Sequence, residues 1–221
     1  MKATAQAQSN IALTKYWGKR DKTLFLPNNG SCSMSLDKFF TVTTVEFGPK
    51  YKQDEFILNR KKLAEGEEFN EVKGHLDLIR KEAGIADSAK VVSENNFPTA
   101  AGLASSASGL AALTVAACEA AGLKPDKKQL SMLARRGSGS AARSIEGGFV
   151  VWNKGERADG TDSYGEQIAS PEHWPEFRMI VNIVEIKEKK WKSRAGMAQT
   201  VATCPYYPTW KETANNDTLQ M

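Results

Sequence analysis

The spacing of hydrophobic and polar positions changes several times along the chain, and each change predicts an element. From Ser33 to Phe47, Thr, Val and Phe recur in rough alternation, the period-2 signature of a strand. Asp54 to Leu63 reads as a hairpin that turns near Asn59-Arg60. Between Glu67 and Gly84 the apolar positions Phe69, Val72, Leu76, Ile79 and Ala83 fall three or four apart, which predicts an amphipathic helix stopped by Gly84. Ala89 to Glu94 is a short strand. Gly102 to Gly122 carries Ala, Leu, Ser and Val on every side, as a helix buried all round would. Asp126 followed three residues later by Gln129 has the form of a capping box opening a helix to Arg136. Gly147 to Asn153 and Arg178 to Ile186 read as strands, Gly196 to Thr203 as a helix ahead of Pro205, and Lys211 to Met221 as a polar stretch.

Strands, then helices, then strands again indicate an α+β fold, a mixed sheet with helices packed on one side. A new apolar strand after Trp174-Pro175 suggests a second unit. The expected division is a domain over 1–175 and the start of an incomplete second α/β domain over 176–221. No internal repeat or low-complexity tract interrupts this.

The bulk numbers narrow the function classes. The chain has 221 residues, 41% hydrophobic and 25% charged, enough for a sizeable core. Thirty basic against 26 acidic residues leave a formal charge of +4, too balanced for a nucleic-acid binder. Cys32, Cys118 and Cys204 are too few and too far apart for a disulfide framework or a zinc site, and read as reduced thiols. No apolar run approaches the ~18 residues a membrane span needs, and Met1 to Lys15 lacks a signal-peptide core, so a cytoplasmic protein is expected.

Three segments carry candidate chemistry. Pro98 and Gly102 punctuate a loop of small residues ahead of the buried helix, so backbone can approach a ligand where the helix's first N–H groups lack internal partners. Ser105, Ser106 and Ser108 add hydroxyls for phosphate oxygens, with Ser106 a candidate magnesium ligand. The Gly-Lys-Ser/Thr ending of a Walker A loop is missing. Taken alone, the segment fits equally a tight turn into an Ala-rich core helix. Lys15, Tyr16 and Lys19 place two ammonium groups around a phenol, suited to an anion but also to a solvated turn. Gly137 to Ser144 alternates Gly and Ser at a helix start, an anion nest, with Arg143 offering a planar fork for a carboxylate. Alone, it could also be a Gly-Ser linker with a surface arginine. His75 lies on an apolar helix face, a packing position, and neither it nor His173 has a partner at metal-ligand spacing.

Pro98 to Ala107 resembles the phosphate-binding motif of the GHMP kinase superfamily, Pro-x-x-x-Gly-Leu-x-Ser-Ser-Ala. The order of further motifs resembles its mevalonate diphosphate decarboxylase branch. These are Ser9-Asn10-Ile11-Ala12, Lys15-Tyr16-Trp17-Gly18-Lys19-Arg20-Asp21, Leu26-Pro27-Asn28-Asn29-Gly30-Ser31, Glu94-Asn95-Asn96-Phe97-Pro98, Gly137 to Ser144, Gly147-Gly148-Phe149, Asp159 to Ser163 and Gly196-Met197.

The resemblance implies a GHMP-kinase-like fold that binds ATP, Mg2+ and mevalonate 5-diphosphate, in a family that tends to form homodimers. ATP contacts are implied at Pro98, Ala101, Gly102, Leu103, Ala104, Ser105, Ser106 and Ser108. Lys15 would face the reacting end of the substrate, with Tyr16, Trp17 and Lys19 toward its phosphates. Ser138, Gly139 and Ser140 would hold its diphosphate and oxygen functions, and Arg143 its carboxylate. Where relatives carry two adjacent serines this chain reads Lys192-Ser193, so Ser193 alone is carried over. The implied reaction phosphorylates the C3 hydroxyl, then loses phosphate and CO2 to give isopentenyl diphosphate. The family's general-base aspartate belongs to a later stretch without a counterpart in these 221 residues. Asp159 and Asp162 match a different stretch and are not its substitutes. The 221 residues alone are therefore expected to be inactive and poorly soluble or oligomeric. A mevalonate monophosphate decarboxylase, a mevalonate 3-kinase and a catalytically silent nucleotide-binding chain are the alternatives.

Overall fold

The computed structural model describes residues 1–98, 103–182 and 193–221. Its main sheet is built on one long strand, β4 (Ser31–Phe47). The first strand, β1 (Lys2–Ala12), runs antiparallel along one edge of β4, from Lys2 opposite Glu46 to Ala12 opposite Ser33. The other edge of β4 is shared. Residues 41–47 pair with β7 (Ala89–Asn95), and residues 31–34 pair with β8 (Phe149–Trp152). Beyond β7 lies β5 (Glu55–Leu58), which pairs parallel to β7 and forms a hairpin with β6 (Lys61–Lys62). Asn59 and Arg60 turn that hairpin with φ of 47° and 65°, the left-handed conformation a tight two-residue turn requires. Beyond β8 lies β9 (Gly165–Ala169). Between β1 and β4 a small ribbon, β2 (Lys19–Asp21) with β3 (Leu26–Pro27), closes a loop.

Helix α1 (Glu67–Ala83) has Glu67 and Glu68 in its first turn and Arg80 and Lys81 in its last, matching the helix dipole. Gly84 ends it at φ 65°, with Ile85 N–H bonded back to the Arg80 carbonyl. Arg80 is itself anchored: its guanidinium pairs with Asp54, which also accepts from the Ala89 N–H at 2.9 Å. Helix α2 (Ser105–Ala120) is the buried one. Ala107, Ala111, Ala112, Ala116, Ala117 and Ala120 let it lie close on β1 and β4. Helix α3 (Lys127–Gly137) opens with the expected capping box between Asp126 and Gln129. A 3-10 turn, Gly139–Ser144, follows it directly. Val45, Phe47, Phe56, Leu76, Ile79, Val91 and Leu113 form the main core between the sheet and these helices.

One element was not foreseen, and two expectations need correction. Lys2–Ala12 is a strand that the hydrophobic pattern did not announce. Arg178–Asn182 is irregular rather than strand, with Ile180 85% exposed and no strand neighbour among the described residues; residues 183–186 lie outside them. Lys211 onward is not an open polar stretch: α4 (Ser193–Thr203) is followed by α5 (Tyr207–Leu219), which buries Tyr207, Ala214 and Thr218. Cys32, Cys118 and Cys204 are free thiols.

Candidate active site

The site grows from an irregularity in β1. Its register against β4 shifts between Gln8 and Asn10, a bulge that re-aims two consecutive side chains. The Ser9 hydroxyl donates to the Leu103 carbonyl on the approach to α2. Asn10 turns to the 3-10 turn, donating to the Ser140 carbonyl at 3.1 Å and the Ser144 hydroxyl at 2.7 Å, while its Oδ1 accepts from Arg143 at 3.2 Å. One dipeptide thus ties the start of α2 to the surroundings of Arg143.

Arg143 is 3% exposed. Its Nη1 donates to the Ser31 hydroxyl at 2.7 Å, and its Nε–H has no partner. Among the described residues no carboxylate pairs with it. The Trp152 ring, 5.9 Å from the guanidinium carbon, and the Cys32 thiol complete its surroundings. Burial pulls its pKa down to about 10, so it stays charged at neutral pH without a counter-ion.

Tyr16 packs on Trp152 with ring centroids 4.8 Å apart, and its buried hydroxyl is also unpartnered. Burial raises the Tyr16 pKa well above the usual phenol value, which keeps it a neutral donor. Gly139 fits beneath both rings: a Cβ there would sit 2.8 Å from Trp152 and 3.1 Å from Tyr16. Ser138 and Ser140 face each other at 3.4 Å beside it. Asn29 shapes the Tyr16 loop, donating to the Lys15 carbonyl at 2.7 Å and accepting from the Trp17 N–H at 3.3 Å.

At the outer end, Lys19 Nζ lies 3.4 Å from the centre of the Phe25 ring. Burial, and then the nearby Arg194 charge, lower its pKa to about 8. Arg194 pairs with Glu71 on α1 and donates to the Gly137 carbonyl at 2.8 Å. Lys15 is exposed and bonded to the Ala12 carbonyl at 2.7 Å, and Ser193 is exposed at the start of α4.

At α2, Ala104 takes a left-handed conformation (φ 54°, ψ 39°), and among the described residues no side chain caps the helix. Its first N–H groups are left for a ligand or water. Ser105 and Ser106 stand at this open end and line a cavity of about 170 Å3 with Thr43, Ser93, Glu71 and Arg194. Ser108 does not reach it: its hydroxyl is buried against Thr41 at 2.7 Å. Leu103 is buried, Pro98 borders a separate polar pocket, and Ala101 and Gly102 lie outside the described residues.

Other candidates have structural duties. His75 packs inside, with Nε2 2.8 Å from the Thr114 hydroxyl. Asp159 accepts from Thr161, and Asp162 from the Glu156 and Arg157 N–H groups, so both carboxylates build one loop. Asn10, Asn29, Arg194 and Tyr207 were not singled out beforehand. Two of them sat in quoted motifs, where a buried asparagine is the signal.

Residues 7–165 match the family profile of the diphosphomevalonate decarboxylase-like N-terminal domain. Diphosphomevalonate decarboxylase from Eremothecium gossypii is 44% identical over 213 residues, 91% of this chain and 54% of that protein. A solved structure of "MDDEF in complex with MVAPP, AMPPCP and Magnesium" superposes with a TM-score of 0.89 at 45% identity, covering 100% of this chain and 66% of that one. The crystal structure of mevalonate diphosphate decarboxylase from Staphylococcus aureus gives a TM-score of 0.90 at 42% identity, over 98% of this chain and 64% of that one. The chain spans about half the length of the curated relatives it matches. With the family profile covering most of its length, the chain belongs to the diphosphomevalonate decarboxylase-like N-terminal domain family.

Proposed function

We propose that this chain supplies the nucleotide and substrate sites of an ATP-dependent decarboxylase acting on mevalonate 5-diphosphate. The observation that carries this reading is Arg143, a buried cation that among the described residues has no counter-ion and keeps an unused N–H. A buried charge is normally paired, because stranding it costs several kcal/mol. An anion small enough to reach the guanidinium, such as the substrate carboxylate, supplies the missing partner. Tyr16, also with a free buried donor, stands beside it. Lys19, near Arg194, fits the diphosphate end, with Ser138 and Ser140 between.

The uncapped start of α2 with Ser105 and Ser106 fits the phosphates of ATP, and the cavity alongside fits the rest of a nucleotide. Serine hydroxyls and phosphate oxygens are hard oxygen ligands, the set magnesium prefers. Bound there, magnesium would neutralise charge between the phosphates, with Ser106 as its protein contact.

In the reaction the C3 hydroxyl takes the terminal phosphoryl group of ATP, releasing ADP. The C3–O bond then breaks with phosphate leaving, and the C1–C2 electron pair becomes the new double bond as CO2 departs. Arg143 orients the carboxylate for that alignment, and Tyr16 and Lys19 fix the distant phosphates. Asp159 and Asp162, committed to their own loop, take no step. The division at 175 is supported by the end of β9 at Ala169 and by the family match ending at 165.

Calorimetry on the protein tests this. Mevalonate 5-diphosphate should bind more tightly than mevalonate 5-phosphate. Ser105→Ala and Ser106→Ala should weaken AMPPCP with magnesium and leave the substrate affinity unchanged. Folded protein that binds neither mevalonate phosphate overturns the proposal.

A further inference from the structure

The loop from Leu13 to Gly18 carries Lys15 and Tyr16 and leads into Lys19, yet it is not part of the main sheet. A loop that presents charged side chains to a ligand must be held, or ordering it would be part of the cost of binding. Its supports are polar. Asn29 spans it from below, as described above. On the outside lies α5, more than 180 residues later in the chain. The Tyr207 hydroxyl donates to the Trp17 carbonyl at 2.7 Å and accepts from the Asn28 side-chain amide at 2.8 Å. Thr218, almost three turns further along α5, donates to the Thr14 hydroxyl at 3.1 Å, and Thr14 accepts from the Cys32 N–H at 2.7 Å. Between them Asn215 accepts from the Gly30 N–H at 3.1 Å. One face of the helix therefore grips both flanks of the loop.

Gly18 is an independent sign of the same fit. Its φ is +89°, and a Cβ on it would lie 2.3 Å from the Tyr207 hydroxyl oxygen and 2.7 Å from the Asn28 amide nitrogen. The loop passes so close under Tyr207 that only glycine leaves room. The Tyr207 ring is 7% exposed, so its hydroxyl is delivered to Trp17 and Asn28 from a fixed anchor. Burial raises its pKa, which keeps it protonated and able to donate.

We propose that Tyr207 is a positioning residue for the substrate: bridging Trp17 and Asn28, it holds the 13–18 loop in the shape that aims Tyr16 and Lys19 at the phosphates of the mevalonate ligand. This rests on the function proposed above and adds to it a helix that carries none of the ligand contacts proposed there. Among the described residues no bond joins the start of α2 to α5, so the effect of Tyr207 is expected on one ligand rather than both.

The test is Tyr207→Phe, which keeps the ring and removes only the hydroxyl. Losing both hydrogen bonds leaves the loop to be ordered by the ligand, so affinity for mevalonate 5-diphosphate should fall about tenfold or more. Affinity for AMPPCP with magnesium, read in the same calorimetric series, should stay within about twofold of wild type, a split that general loss of structure would not give. Tyr206→Phe, at an exposed neighbouring ring, should change neither. If Tyr207→Phe does not fold, Thr218→Val decides: it keeps the side-chain shape and removes the bond to Thr14, and should also weaken the mevalonate ligand selectively. Unchanged mevalonate 5-diphosphate affinity in Tyr207→Phe, or in Thr218→Val where that variant decides, overturns the inference and leaves the functional reading standing. Wild-type protein that binds no mevalonate 5-diphosphate overturns both.

Discussion

Replacing Arg143 by Met should separate binding from stability. Among the described residues the buried guanidinium has no counter-ion, and burial lowers its pKa from 12.5 to about 10. At 1.36 kcal/mol per pH unit that is a penalty of roughly 3 kcal/mol, carried by the fold. Against it stand two hydrogen bonds from a charged donor, to Ser31 and Asn10, each worth about 1.5–3 kcal/mol. The opposing effects nearly cancel, so Arg143→Met should unfold within about 3 kcal/mol of wild type in urea. Arg80 is a useful comparison, being 9% exposed but paired with Asp54. Arg80→Met strands a buried carboxylate and should cost about 3–5 kcal/mol. The order reverses for binding. Arg143→Met removes the partner of a desolvated carboxylate, about 2–5 kcal/mol, or about 30-fold to several thousand-fold in affinity for mevalonate 5-diphosphate. Arg80→Met should leave that affinity unchanged in whatever fraction stays folded. Urea unfolding and calorimetry on both variants check this. An Arg143→Met protein that is less stable than Arg80→Met, or that binds the substrate normally, would refute the argument.

Two further predictions concern pH. Lys19 must be protonated to hold a diphosphate, and its pKa in the free protein is about 8, so substrate affinity should fall as pH rises through 8; in Lys19→Arg, which stays charged, the fall should vanish, and an identical profile in both proteins would exclude Lys19. His75 is held neutral by burial, with a pKa lowered from 6.5 to about 4, so the unfolded chain binds the extra proton between those values. The stabilisation is fully present above pH 6.5 and is lost as pH falls toward 4, by up to roughly 3 kcal/mol at 1.36 kcal/mol per pH unit; urea midpoints that are flat across that window in wild type, or that fall equally in His75→Gln, would show the assignment to be wrong.

What could be read from the sequence divides along physical lines. Local chemistry was legible: the Asp126–Gln129 cap, the Gly84 stop and the Asn59-Arg60 turn depend on residues a few positions apart. The strand at Lys2–Ala12 was not, because its inward positions Ala3, Ala5 and Ala7 barely register as hydrophobic. They are small because α2, itself rich in alanine, packs against this strand. Helix α5 was hidden for the opposite reason. Its inward Asn215 and Thr218 are polar, since they meet loop backbone and hydroxyls rather than a core. Ser108 shows where a motif outruns geometry, since one turn after Ser105 the helix has rotated its hydroxyl toward Thr41. The motifs hold the residues proposed for the site, but the surroundings of Arg143 depend on contacts more than 100 residues apart in sequence, which no local spacing reveals.

The three most buried arginines show how selectively this fold treats charge. Arg80 is neutralised by Asp54 and Asp77. Arg135, 2% exposed, is held by the carbonyls of Leu24, Gly160 and Ser163, whose partial charges face it from three sides and fix the Asp159–Ser163 loop. Both arrangements set carboxylate or carbonyl oxygens against the guanidinium. Arg143 alone meets one hydroxyl and one amide oxygen, and keeps an unbonded N–H beside the free phenol of Tyr16. A fold able to satisfy the first two could have placed a carboxylate near the third. Among the described residues none lies there, and an incoming anion would remove the cost this leaves. Under the proposed function, that cost would make a deeply buried arginine a binding group and select against neutral ligands of the same shape, which would leave the charge stranded.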